Sequence, residues 1–218
     1  MFTRSKLCVQ LFRAGLGCGM PKIAPKRPLR ALPTTFTYAQ ARDAGFSKHG
    51  LYRLREAGGI AAIGRGIYRQ AGAEPADTDL IAIAVKTPRA TLCLETALSR
   101  HGLSDAIPAA PDVALPRGTR SPSMSDAVVR WHHFAPATFD LGRELLALDE
   151  DTSIGIYDAQ RSIIDAFRMR ATEGHELGYE ALRRWLRASG SQPGQLIRLA
   201  QQFPKAETPL RLALAALL

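Results

Sequence analysis

The side chains best suited to chemistry in this chain stand close together in its first third. Ser47, Lys48, His49, Tyr52 and Arg53 are followed by Arg65, which sits between Gly64 and Gly66. On a helix, positions 48, 49, 52, 53 and 56 share one face. Lys48 and Arg53 can donate to phosphate oxygens or base edges, and His49 and Tyr52 can make mixed contacts. Ser47 lies where a helix cap belongs, so it offers a hydroxyl and the helix N-terminus to a phosphate. Arg65, held out at a turn, suits a minor groove or a phosphate backbone. The chemistry this set implies is recognition of duplex DNA, with no cofactor and no metal.

Enzymatic chemistry finds less support. His132 and His133 are adjacent on an expected strand, so they point to opposite faces and cannot share a metal. Cys93 falls within an apolar run and reads as a small core residue. No local signature of a Ser-His-Asp trio and no phosphate-binding Gly loop is present. Asp149, Glu150 and Asp151 read as a solvated acidic loop rather than a magnesium site. Arg161 and Asp165 stand four apart on a helix, where an intrahelical pair accounts for them. Scattered carboxylates nevertheless leave an alternative open: a metal-dependent nuclease with a DNA-targeting module.

The elements that must position the basic face are legible. Thr37 caps a short Ala-rich helix over residues 38–44, which Gly45 ends. Phe46 packs at the entrance of a second helix, capped by Ser47, over residues 48–57. Leu51, Leu54 and Ala57 form its inner stripe, and Gly58-Gly59 stops it. Residues 60–63 and 67–69 make two short strands around the turn at residues 64–66. Helix, tight turn, helix, strand, Gly turn, strand is the order of a winged helix-turn-helix.

Charge places the partner on the same segment. Residues 1–70 carry 13 Lys/Arg against two acids, a net +11, while the other 148 residues hold 16 against 18, a net −2. The asymmetry points to a polyanion for the first block alone. A hydrophobic fraction of 46% excludes wholesale disorder, and no apolar run approaches a membrane span. Arg13 interrupts the apolar stretch that a signal peptide would need. Three Cys (Cys8, Cys18 and Cys93) match no zinc spacing and no disulfide framework, which fits a reducing cytoplasm.

Residues 1–34 read as a basic, Pro-containing flexible segment, with Met20 an alternative start. A winged helix at 35–70, a linker at 71–77 and a larger domain at 78–218 follow. In that domain, helices are expected at 78–85, 92–101, 159–169, 179–188, 194–202 and 208–217, and strands at 113–115, 128–134 and 155–157. The fold class is α+β: an N-terminal winged helix-turn-helix, then a mixed α/β domain with a helical C-terminus.

Three segments resemble the AbiEi-type antitoxins, which are autorepressors of type IV (abortive-infection) toxin–antitoxin systems. The first comprises Ala44-Gly45-Phe46-Ser47, Leu51, Arg53-Leu54, Gly58 or Gly59, Ile60 and Arg65-Gly66-Ile67-Tyr68. The second runs from Leu92 to His101-Gly102-Leu103 and is similar to the family's "SAL…HGL" helix. The third, residues 159–165, looks like its "ERTLVD" segment, where Arg161 and Asp165 match and Gln160 departs. The family usually has a helix before residue 38 that this chain lacks, and Ala62 replaces a common basic residue. The resemblance covers residues 35–210. It implies a repressor of its own operon, bound to double-stranded operator DNA, that counteracts a nucleotidyltransferase-like toxin through its C-terminal domain.

Overall fold

The computed structural model describes residues 29–124 and 127–218; the expectations for residues 1–28 lie outside them. Thr37 caps the first helix through a complete capping box. Its hydroxyl accepts from the Gln40 N–H, and the Gln40 side chain accepts from the Thr37 N–H. The helix, α1 (Tyr38–Asp43), ends in a Schellman motif. Phe46 N–H donates to the Ala41 carbonyl and Gly45 N–H to that of Arg42, with Gly45 at φ +88°. That positive φ is what calls for glycine at position 45. Ser47 then accepts from the Gly50 N–H and opens α2 (Lys48–Glu56), which Gly58 and Gly59 close through the same two-bond pattern.

β2 (Ile60–Gly64) and β3 (Ile67–Gln70) form an antiparallel hairpin. A third strand, β1 (Thr35–Thr37), adds to the far side of β3, in the order β1-β3-β2. Sequence reading did not anticipate this strand: three residues carry no periodicity, and only pairing with β3 reveals it. Leu29–Ala31 is a 3-10 turn, and Leu32 is buried, so the expected flexible segment is already structured by residue 29. Leu32, Phe36, Ala41, Phe46, Leu51 and Ile60 form the core of this unit. Leu51 is its buried anchor on α2. Leu54 is half-buried, and Ala57, expected on the inner stripe, is exposed because it is the C-cap.

Asp77 caps α3 (Thr78–Lys86), which packs on β2 and on the larger sheet. That sheet has the order β6-β5-β4-β8-β7. Its strands are β4 (Thr91–Leu92), β5 (Asp112–Pro116), β6 (Arg130–Phe134), β7 (Arg143–Ala147) and β8 (Ser153–Tyr157). β5–β6 and β4–β8 are parallel, and β4–β5 and β7–β8 antiparallel. A mixed sheet joined to helices makes the chain an α+β protein. The helix expected from residue 92 begins later, as α4 (Leu94–Arg100), because Thr91 and Leu92 pair with both neighbouring strands. The turn between them puts Leu94 at φ +46°, an unusual value for a non-glycine residue. The strand expected from residue 128 starts at Arg130, and β7 and α5 (Pro136–Phe139) were not anticipated.

Strand alternation assigns the faces. Val113, Ile154 and Ile156 meet Leu80 and Ile83 of α3. Ala114, Phe134 and Tyr157 point the other way, toward α6 (Ala159–Arg168). The remaining helices are α7 (Arg170–Glu173), α8 (His175–Arg187), α9 (Pro193–Ala200) and α10 (Pro204–Leu217). With α4 they pack around α6, whose residues 161–167 are all buried. Pro209 interrupts the hydrogen bonding of α10, and the Lys205 carbonyl it leaves without an intrahelical donor accepts from Arg170 Nη1 at 3.0 Å.

Candidate nucleic-acid interface

All six residues singled out from the sequence are exposed: Ser47, Lys48, His49, Tyr52, Arg53 and Arg65. Helical spacing sets His49, Tyr52 and Arg53 opposite buried Leu51, with Lys48 on the flank of the same face. The Ser47 hydroxyl oxygen is occupied by the Gly50 N–H at 3.0 Å, leaving its proton free to donate. Arg55, not among the six, is exposed too, and its guanidinium lies 5.4 Å from the Tyr52 ring centroid. That contact restrains Tyr52, whose side chain is exposed. An i, i+3 aromatic–Arg spacing was the available signal.

Arg65 lies at the tip of the β2–β3 hairpin. Gly66, at φ +74°, makes the two-residue turn possible. The Gly66 carbonyl accepts from the Tyr38 N–H at 2.8 Å, which ties the tip to the start of α1. Among the described residues, no carboxylate pairs with Lys48, Arg53 or Arg65. Arg42 and Arg55 do have acidic neighbours, Asp43 at 3.2 Å and Glu56 at 3.9 Å. The electrostatic field of this unit is therefore set by side chains that no internal partner neutralises.

Arg69 belongs to the same basic block but does different work. Its guanidinium is buried and ion-pairs with Asp149 on the β7–β8 connection, while Nη1 donates to Thr35 Oγ1 and Nη2 to the Glu74 carbonyl. Asp149 also accepts the N–H groups of Asp151 and Thr152, and Asp151 accepts from the Thr34 N–H at 2.9 Å. The expectation of a solvated loop at 149–151 holds for Glu150 and Asp151, which are exposed, and is corrected for Asp149. The Asp149 side chain is buried, and with Asp151 it fastens Thr34, Thr35 and Arg69 to the β7–β8 connection. Burial pushes the Asp149 carboxyl up, but its hydrogen bonds from Arg69, Thr152 and the two backbone amides outweigh that and hold it below the usual carboxylate range.

The Arg161–Asp165 pair is intrahelical, as its spacing indicates, and both side chains are fully buried. Asp165 also lies 3.0 Å from Arg168, and Arg161 donates to the carbonyls of Thr138 and Leu141. Arg161 stacks at 4.1 Å from the Tyr157 centroid and 4.5 Å from that of Phe203; Arg168 sits 4.2 Å from Phe134. Burial pushes the Asp165 carboxyl up against the pull of both guanidiniums. Burial likewise raises the thiol of Cys93, which faces this centre. His132 and His133 diverge, as their strand requires: His132 Nε2 contacts Asp112 at 2.9 Å, and His133 Nε2 contacts the Thr119 carbonyl at 3.0 Å. Among the described residues, no three His, Cys, Asp or Glu side chains gather as a metal site would need, and no helix is long and apolar enough to cross a membrane.

No family model matches the chain, and no curated protein does. Its fold is similar to that in the crystal structure of the Rv2827c protein from Mycobacterium tuberculosis. The identity is 17% and the TM-score 0.51, over 85% of this chain and 77% of that one. At that identity the likeness concerns the fold alone.

Proposed function

We propose that this chain is a DNA-binding transcriptional regulator acting as the antitoxin of a type IV toxin–antitoxin system. Residues 35–70 bind double-stranded operator DNA and repress the chain's own operon. Residues 78–218 counteract a nucleotidyltransferase-like toxin, acting on it directly or on its effects. The observation that carries the DNA-binding part is the unpaired cationic face of Lys48, Arg53 and Arg65, presented by a capped helix and the hairpin tip beside it. The antitoxin part rests on the resemblance carried by residues 44–68, 92–103 and 159–165. The nuclease alternative gains nothing from the acidic cluster, since Asp149 and Asp151 are engaged with Arg69 and Thr34.

Readout and anchoring should separate by mutation. Tyr52→Ala and Arg53→Ala are expected to reduce discrimination between operator and random duplex, by ~1–3 kcal/mol wherever the side chain pairs well with a base edge. Arg65→Ala should weaken both duplexes alike, as a backbone or minor-groove contact would. Competition gel shifts on the chain's own upstream region measure both. Unchanged sequence preference in folded Tyr52 and Arg53 variants would remove α2 from the role of reading helix. For the antitoxin part, the full chain is co-expressed with the adjacent gene. Restored growth is expected, and an adjacent gene without toxicity would leave a regulator only.

A further inference from the structure

A cavity of about 570 Å³, lined by no residue of α2 or the β2–β3 hairpin, opens where the end of β5, the free edge strand β6, the end of α6 and the start of α10 converge. That volume lies within the range of small-ligand sites. Arg117, His132, Arg168 and Lys205 line it together with Phe134 and Phe203, and no Asp or Glu lines it. Arg117 and Lys205 are exposed and have no ion-pair partner among the described residues. Arg168 is ion-paired with Asp165 at 3.0 Å and stacked on the Phe134 ring, and its buried Nε and Nη2 make no hydrogen bond. The two carboxylates beneath the wall are already shared. Asp165 serves Arg161 as well as Arg168, and Asp112 serves Arg130 at 3.2 Å as well as His132 at 2.9 Å. The start of α10, a 14-residue helix, has no side chain capping it and adds its positive end to the same wall.

We propose that this cavity binds a phosphate-bearing ligand of nucleotide size. Arg117, Arg168 and Lys205 hold the phosphate groups, and Phe134 and Phe203 supply the apolar part of the wall. Arg168 is pre-oriented by its buried carboxylate and its aromatic stack, so little ordering is required when an anion arrives. The site stands apart from the DNA-binding face and does not rest on the function proposed above.

Calorimetric titration of the full chain with ATP, inorganic pyrophosphate, a 5′-phosphorylated tetranucleotide and adenosine tests this. The phosphate-bearing probes should bind with a dissociation constant below about 1 mM, and adenosine should not. Tighter binding of the tetranucleotide than of ATP assigns the phosphate to a nucleic-acid end, and the reverse order assigns it to a free nucleotide. Arg117→Glu with Lys205→Glu, two exposed changes, should weaken binding at least about ten-fold, since each reversal turns attraction into repulsion. Arg183→Ala with Arg187→Ala, two exposed changes on α8 outside the cavity lining, should leave it unchanged. The proposal is overturned if none of the phosphate probes binds saturably, or if the groove reversals leave affinity intact.

Discussion

Asp165→Ala is expected to cost about 3–5 kcal/mol of stability, measured by urea unfolding, because it leaves buried guanidinium charge without its carboxylate. Asp165 is fully buried, ion-pairs with Arg161 and Arg168, and lies on the helix around which α4, α8, α9 and α10 pack. Arg161 would keep the Thr138 and Leu141 carbonyls and the faces of Tyr157 and Phe203, which soften the loss without replacing the charge. Asp165→Asn retains an acceptor for Arg161 Nε and should cost less than Asp165→Ala. Equal stability of Asp165→Ala and the parent would mean that the pair contributes nothing to the fold.

The second large effect is expected at Asp149. Both partners of its pair with Arg69 are buried, with side-chain exposures of 6% and 7%, so Asp149→Ala should also cost about 3–5 kcal/mol. The damage should be local at first. Thr35 and Arg69 lose their attachment to the β7–β8 connection while Thr34 keeps Asp151, and amide exchange across β1 and β3 should rise before it rises across β5 and β8. The pH dependence follows from the lowered carboxyl. Its contribution is fully present above the unfolded value, about 3.9, and is lost as pH falls through the lower folded value. The stability gap between parent and Asp149→Asn should therefore be widest near neutrality and narrow progressively as pH falls below about 4. A gap that does not narrow with acid would show that packing rather than charge accounts for it.

The pair also bears on how the chain divides. Cutting at the polar stretch 71–77 would leave Arg69 buried without Asp149 in one piece and Asp149 without Arg69 in the other. Full-chain variants are for that reason the cleaner probes of each half.

Sequence made the N-terminal unit legible because its signals are local. Thr37 and Ser47 are caps, Gly45 and Gly58 are helix ends, and Gly66 makes the hairpin turn, each within four residues of the bond it controls. The exposed side chains follow from these by helical spacing. What was not legible depends on partners far along the chain. β1 exists because residues 35–37 pair with residues 67–69. β7 is an edge strand that mixes Arg143 and Glu144 with exposed Leu145, and its pattern lacks alternation. The apolar run 92–98 hides a switch from strand to helix at Cys93 and Leu94. Arg161 and Asp165 read as an intrahelical pair, and the i, i+4 spacing does not say whether such a pair is exposed or buried. Only the packing of Phe134, Tyr157 and Phe203 around them makes the pair a buried centre. Asp149 shows the same limit, since its partner is 80 positions away.

The central claim, that the free cations of α2 and the hairpin tip grip duplex DNA, is tested most directly by the salt dependence of binding. The full chain and its Lys48→Ala/Arg53→Ala/Arg65→Ala variant are titrated against one duplex from the chain's upstream region over a range of salt concentrations. Each neutralised phosphate contributes about 0.9 to the slope of log affinity against log salt, so removing the three cations should reduce the slope by about 1.8 where Arg53 pairs with a base edge and by about 2.7 where all three touch phosphates. Because the comparison is between slopes, basic residues elsewhere in the chain cancel. A variant that binds with the same slope and affinity as the parent would contradict the account and move the DNA-binding surface away from this face.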